Sequence, residues 1–456
     1  MLTITVDNRI SLEVNQLPGF VVERIKERLT FDNPQWLENE KRGFSNWDTP
    51  QVFRYWRQEG DRLIMPRGLA RQAIGILRGA GIPYQIDDRR RVLPEVDFTF
   101  TGQLKDFQAQ AVEAVLSRDF GTLAAPTGSG KTVMALAVIA ERRQPALIIV
   151  HTKELLNQWI DRIEKFLWIP AQEVGVIGNG KKSVGPVTVA LVQTLYKCAD
   201  DIAPHIGFLI VDECHRAPAR TFTTAAKVFD CKYMLGLSAT PWRRDGLSKL
   251  IYWYLGQTTC RIDKKDLIAT GDVLPVKPVI RQTDFRPWHD PSEEYSRMLS
   301  ELTEDSARNA LIASDVAQEA RNGGGIILIL TDRKAHCEAL RGLLQAQGVE
   351  CALLTGDLPN GERQTIVDDL NQGRVKVLVA TGQLIGEGFD CKELSTLFLA
   401  TPIKFSGRLL QYLGRVLRPA PGKAKALVYD YHDINVGVLM NAAKGRMRVY
   451  EGPHAI

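Results

Sequence analysis

The chain is 456 residues long, 45% hydrophobic and 24% charged, a composition that supports packed cores and excludes a disordered or collagen-like polymer. That length suggests about three units of roughly 100–200 residues each, and a net charge of +5 permits a nucleic-acid partner without demanding one. No apolar run approaches the ~20 residues of a bilayer span, the opening MLTITVDNRI does not read as a signal peptide, and the seven cysteines (Cys198, Cys214, Cys231, Cys260, Cys337, Cys351, Cys391) lack the Cys-x-x-Cys pairs of a zinc site.

Residues 1–97 read as a unit of their own. Alternation in Thr3-Ile4-Thr5-Val6 and in Ile10-Ser11-Leu12-Glu13-Val14 predicts strands. Pro18 opens a predicted helix from Gly19 to Leu29, with Val21, Val22, Ile25 and Leu29 as its apolar residues. Between Lys41 and Arg91 basic residues outnumber acidic ones, and Trp47, Phe53, Tyr55, Trp56 and Tyr84 are interleaved with them. Two readings are open: phosphate contact with base stacking, or a solvated charged face over an aromatic core.

From 98 to 262 short, continuous apolar runs alternate with helical stretches. The runs are Gly121–Ala125, Ala146–Val150, Val187–Leu191, Phe208–Val211 and Met234–Ser238, the pattern of buried parallel strands. The same pattern recurs within 263–456, at Ile326–Leu330, Cys351–Leu354, Val375–Ala380, Thr396–Ala400 and Ala426–Tyr429. The stretch 263–320 between them reads as polar and partly helical. The expected fold class is α/β, with two doubly wound parallel-sheet domains behind a small α+β N-terminal domain, divided at 1–97, 98–262 and 263–456.

Two motifs carry chemistry on their own. Ala125-Pro126-Thr127-Gly128-Ser129-Gly130-Lys131-Thr132 lies between a predicted strand and a predicted helix. There the glycines turn backbone N–H groups towards a phosphate and the helix N-terminus favours negative charge. Lys131 suits the β- and γ-phosphates of ATP, and the Thr132 hydroxyl suits Mg2+. Thr127, Gly128, Ser129 and Gly130 complete this cofactor-binding set. Phe208–Val211 is followed by Asp212-Glu213-Cys214-His215, carboxylates at a strand's carboxyl end, where ligands bind in such sheets. Asp212 suits the metal and Glu213 the attacking water.

With Ser238-Ala239-Thr240 and Gln411-Tyr412-Leu413-Gly414-Arg415-Val416-Leu417-Arg418 in the same order, the chain resembles the superfamily 2 helicases over residues 98–432. The resemblance implies two RecA-like domains. It implies that Gln108 reads adenine, that Gly388 and Asp390 in Gly386-Glu387-Gly388-Phe389-Asp390 approach the nucleotide, and that Gln411 senses the γ-phosphate. Arg415 and Arg418, which share a helix face, would stabilise the transferring phosphoryl group. Ser238 and Thr240 would couple nucleotide state to domain movement. Thr152, Gln193, Thr194, Arg333, Thr355, Gly356 and Thr381 would contact the nucleic-acid backbone.

Within the superfamily the sequence is more similar to XPB-type repair helicases and to phage or bacterial branch-migration helicases than to the DEAD-box group. Its second motif reads Asp-Glu-Cys-His and its last opens on Gln411-Tyr412. Pro241-Trp242-Arg243-Arg244-Asp245-Gly246 looks like the Arg-Glu-Asp element of XPB-like enzymes, with Arg244 in place of Glu. The implied activity is an ATP- and Mg2+-dependent DNA helicase moving 3′ to 5′ and remodelling forked, branched or duplex DNA with single-stranded regions. No membrane partner is implied. The scattered cysteines suit the cytoplasm, here that of a bacterial or phage-infected cell, at the nucleoid. Two other readings stay open: an RNA-remodelling ATPase, and an ATP-controlled nucleic-acid-binding subunit of a restriction or defence complex.

Overall fold

The computed structural model describes residues 1–216, 223–224, 226–239, 248–323, 325–382, 391, 393–403, 409, 412–414, 416, 419–420, 423 and 426–451. Two compact units divide the chain: Met1–Ala125 with Gly130–Ile262, and Pro126–Ser129 with Asp263–Ile456.

The first unit opens on a five-stranded sheet in the spatial order Arg57–Glu59, Arg62–Pro66, Arg9–Glu13, Leu2–Val6, Tyr84–Asp88. All neighbours are antiparallel except the last pair. Period-two alternation sends Leu2, Ile4 and Val6 inward from one strand and Ile10 and Leu12 from the next. The helix Gly19–Arg28, entered through Pro18, buries Val21, Val22 and Ile25, and the helix Ala70–Gly79 buries Ala73, Ile76 and Leu77.

This apolar layer is continuous with side chains of the following β/α region, among them Leu250, Trp253 and Leu255 of the helix Ser248–Leu255. Gly68 makes the closest approach. A Cβ there would lie 2.3 Å from the Tyr252 carbonyl oxygen and 2.5 Å from that of Trp253, so only glycine fits. Beside it the buried Arg67 guanidinium donates to the Cys231 carbonyl at 2.7 Å. Ion pairs flank the seam, Arg90 to Asp119 at 2.8 Å and Arg91 to Asp230 at 2.9 Å.

An eight-stranded sheet follows, in the order Lys181–Lys182, Gly175–Gly178, Val187–Leu191, Ala146–Val150, Phe208–Val211, Tyr233–Ser238, Phe120–Ala124, Thr258–Arg261. Only the first pairing is antiparallel. The expected runs occupy its middle and are buried almost throughout. The second unit holds a six-stranded, all-parallel sheet in the order Val276–Thr283, Ala426–Asp433, Leu394–Leu399, Ile326–Thr331, Val377–Thr381, Ala352–Leu354.

The structure corrects the reading of 263–320 as polar and partly helical in one respect. Three helices are there, Lys264–Ala269, Tyr295–Glu304 and Ser306–Asn322, and so is the eight-residue strand Val276–Thr283. It lies at the sheet edge, where a strand keeps polar residues and tolerates Pro278, so it lacks the apolar run of a buried strand. No helix among the described residues is long and apolar enough to cross a membrane.

Candidate nucleotide site

Parallel strands bring their carboxyl ends to one edge of a sheet. Along that edge of the first sheet lie, in spatial order, Gln193 and Thr194 after Val187–Leu191, Thr152 after Ala146–Val150, and Asp212 and Glu213 after Phe208–Val211. Next come Ser238, at the end of Tyr233–Ser238, and the glycine-rich loop after Phe120–Ala124. One strand separates the acidic strand from the loop's strand. At about 4.8 Å per strand this leaves about 10 Å between them.

The loop's geometry follows from its glycines. Gly128 and Gly130 have φ of 90° and 84°, values an L side chain resists. Gly130 is also closely approached: a Cβ there would sit 2.4 Å from Gln108 Nε2 and displace the end of that side chain. Gln108 is buried, and its Oε1 accepts from the Lys105 backbone N–H at 3.0 Å. This hydrogen bond fixes Gln108 at the start of the helix Asp106–Leu116. Lys131 begins the next helix, Lys131–Arg142, and its buried ammonium donates to the Ala125 carbonyl at 3.1 Å. Thr132 follows it, half-buried. Thr127 and Ser129 lie in the loop, where Ser129 Oγ donates to the Pro126 carbonyl at 2.8 Å.

The acidic pair is tightly built. Asp212 is buried. Its Oδ1 accepts the Glu213 backbone N–H at 2.9 Å and its Oδ2 accepts the Trp159 indole N–H at 2.8 Å. Burial raises its carboxyl above the usual carboxylate range and the neighbouring Glu213 charge adds to that, while the Trp159 hydrogen bond and the Lys131 charge oppose them. Glu213 has φ of +44°, a left-handed conformation that costs a non-glycine residue about 1–3 kcal/mol and recurs at functional sites. His215 Nδ1 lies 3.3 Å from Glu213 Oε2 and 2.9 Å from Ser238 Oγ, linking the acidic turn to the next strand. Cys214 is fully buried, and burial raises its thiol pKa, as befits a packed residue.

A buried carboxylate such as Asp212, whose ionisation is disfavoured by burial and by the neighbouring Glu213 charge, suits a divalent cation, which offsets both penalties. The donor types fit Mg2+, which takes one or two protein oxygens and keeps water and phosphate for the rest; Thr132 and Asp212 are the oxygens that would hold it.

Thr152 caps the helix Lys153–Leu167, its hydroxyl accepting from the Leu155 N–H. Gln193 is exposed, its Nε2 3.4 Å from the His151 carbonyl. In the second unit, Arg333, Thr355, Gly356 and Thr381 follow or end three adjacent strands: Ile326–Thr331, Ala352–Leu354 and Val377–Thr381. The structure ties Arg333 down, its guanidinium donating to the Ser296 carbonyl at 2.8 Å. Thr355 is buried, and Gly356 is exposed with its carbonyl accepting from Arg363 at 2.8 Å. Thr240, Trp242, Arg243, Gly388, Asp390, Gln411, Arg415 and Arg418 lie outside the described residues.

Sequence reading gave Trp159 and His215 no role. Trp159 sits with Leu156, Ile163 and Leu167 on one apolar helix stripe and reads there as core. The available signal was that a buried indole N–H needs an acceptor.

Residues 101–243 match the family described as "Type III restriction enzyme, res subunit", and residues 307–420 match "Helicase conserved C-terminal domain". The chain is similar to "Probable helicase D10" of Escherichia phage T5, 27% identical over 379 residues, which are 83% of this chain and 81% of that protein. It is also similar to "DNA 3'-5' translocase XPB2" of Sulfurisphaera tokodaii, 26% identical over 356 residues, 69% of this chain and 79% of the relative. Among solved structures, "S. cerevisiae Dbp5 bound to RNA and ADP BeF3" superposes with a TM-score of 0.55 at 16% identity, covering 77% of this chain and 89% of that one. At that identity the likeness is one of fold, and the fold is a tandem of RecA-like domains.

Proposed function

The chain belongs to the superfamily 2 helicases and hydrolyses ATP, and from that premise we propose that its track is DNA and that it remodels forked or branched DNA, moving 3′ to 5′. The observation that carries this reading is the single sheet edge on which the nucleotide-binding loop, the acidic pair and the backbone-contact candidates Thr152, Gln193 and Thr194 are strung. One end of that edge serves the nucleotide and the other the track. The choice of DNA rests on the similarity to the archaeal DNA translocase and on the Asp-Glu-Cys-His form of the acidic motif.

In the proposed reaction the loop amides and Lys131 hold the β- and γ-phosphates. Magnesium at Thr132 and Asp212 neutralises charge on those phosphates when bound. Glu213 accepts a proton from the attacking water as its oxygen bonds to the γ-phosphorus and the bond to the β-phosphate oxygen breaks. Gln108 holds the adenine. Gln411, Arg415, Arg418, Gly388 and Asp390 are assigned to the γ-phosphate and the nucleotide, and Arg333, Thr355, Gly356 and Thr381 to the nucleic-acid backbone, which is gripped through phosphates without reading bases.

The test is strand displacement with ATP and Mg2+ on partial duplexes carrying a 3′ or a 5′ single-stranded tail, on a fork and on a four-way junction. The expected result is displacement from the 3′-tailed duplex and the branched substrates, and none by Glu213→Gln. Displacement of RNA duplexes alone, or from 5′ tails alone, overturns the proposal.

A further inference from the structure

Trp159 is the only buried residue of the helix Lys153–Leu167 whose side chain carries a hydrogen-bond donor; its buried companions are Leu156, Ile163 and Leu167. Volume alone does not call for an indole on that stripe, since leucine or phenylalanine also fills a helix–sheet interface. What an indole adds is its N–H, which ends 2.8 Å from Asp212 Oδ2 while Asp212 Oδ1 is held by the Glu213 backbone N–H at 2.9 Å. Both oxygens are thus tethered from opposite partners, one on the acidic turn and one on a helix 53 residues earlier in the chain. A carboxylate held this way cannot rotate about its last torsion without giving up a buried charged hydrogen bond.

We propose that Trp159 is a positioning residue for Asp212, orienting its carboxylate towards the magnesium nucleotide through the indole N–H. This rests on the reading of Asp212 as the metal-holding acid. The indole holds Asp212 Oδ2, as partners behind metal ligands hold them elsewhere. The helix that carries it is capped by Thr152, so the same element touches the acid at its middle and the candidate nucleic-acid edge at its start.

The test uses the full-length protein and its variants Trp159→Phe and Asp212→Asn. A fluorescent ADP derivative is titrated in EDTA and across a range of Mg2+ concentrations. Wild type should bind more tightly with Mg2+, and Asp212→Asn should lose that gain. Trp159→Phe should need about tenfold more Mg2+ for half of the gain, the worth of one hydrogen bond to a charged group, while its affinity in EDTA stays within about twofold of wild type. A filler role predicts equal changes with and without Mg2+, or none, and either result overturns the proposal. If Asp212→Asn keeps the full Mg2+ gain, the metal assignment falls and the inference falls with it. If only Trp159→Phe keeps it, the inference falls alone. A second measurement does not depend on the Trp159 variant folding. In protein labelled with 15N at its indoles, one N–H resonance should move in Asp212→Asn and move again when Mg2+ is added to ADP-bound wild type. Indole resonances indifferent to both changes contradict the proposal.

Discussion

At the scale of single residues, the nucleotide loop and the acidic turn are built by different means. The loop depends on residues that lack a side chain: Gly130 sits at a left-handed φ with Gln108 pressed against the place a Cβ would occupy. The turn depends on side chains that over-determine the backbone, with Asp212, Trp159, His215 and Ser238 holding Glu213 at φ +44°. Lys131→Ala should weaken ATP binding by at least about tenfold, as the loss of a charged hydrogen bond requires, measured with a fluorescent nucleotide. Glu213→Gln should keep ATP binding within about twofold and slow hydrolysis by at least about 100-fold, the usual worth of a general base, measured by phosphate release. If Glu213→Gln turned over ATP at the wild-type rate, another group would be activating the water.

At the scale of elements, the turn Arg67–Leu69 that follows the N-terminal strand Arg62–Pro66 packs tightly against the helix Ser248–Leu255. Gly68→Ala would drive a methyl into two backbone carbonyls. It should cost about 1–3 kcal/mol, seen as a lower thermal midpoint, whereas Gly75→Ala on the same domain, with nothing within 4 Å of its added Cβ, should not. In the second unit His336 is buried between Thr331 Oγ1 at 2.7 Å and Asn309 Oδ1 at 2.8 Å, beneath the Thr331–Arg333 turn. Burial pushes its pKa down from 6.5 to about 3. Between those values the unfolded chain takes up a proton that the folded one refuses, so stability is full above pH 6.5 and falls as pH drops towards 3. From pH 7 to pH 5 the loss is about 2 kcal/mol, and the unfolding midpoint of His336→Gln should fall less than wild type's over that range. An equal fall in both would assign the acid sensitivity elsewhere.

The same scale shows what could be read from the sequence. Most interior strands of both parallel sheets declare themselves, because burial on both faces leaves unbroken apolar runs such as Ala146–Val150; the buried interior strand Gly175–Gly178 does not, because half of its residues are glycine. The edge strands Lys181–Lys182, Thr258–Arg261 and Val276–Thr283 do not, because half-exposed pairing positions take ordinary polar residues. The aromatics of the N-terminal segment were ambiguous for a related reason, since stacking on a base and packing in a core use the same residues. Tyr55 and Phe31 turn out to pack against Trp253, with ring centroids 5.3 and 5.7 Å away. Trp47 stands 95% exposed. At the candidate site the loop and the acidic pair were legible as contiguous motifs. The links among Trp159, Asp212, His215 and Ser238 were not, because they join residues far apart in sequence whose types are ordinary core choices.

At the scale of the molecule, one apolar core of the first unit joins the N-terminal sheet to the first parallel sheet, whose strands also line a second core. Removing residues 1–91 would uncover Leu250, Trp253 and Leu255 together, an apolar patch of the kind that drives association. Such a truncation should aggregate in sedimentation, so the contribution of the N-terminal sheet to DNA binding is better measured with point variants of its exposed surface, Trp47→Ala first. A monodisperse truncation with normal ATPase activity would mean that the shared core is dispensable.

The central claim, a motor driven by ATP along DNA, is tested most directly by the rate of ATP hydrolysis at saturating Mg2+ with no nucleic acid, single-stranded DNA, duplex DNA, a fork, a four-way junction and matched RNA. The account predicts a low basal rate, a rise of at least about tenfold with forked or four-way DNA, and RNA without effect. Stimulation by RNA alone, or one rate across the whole panel, would contradict it.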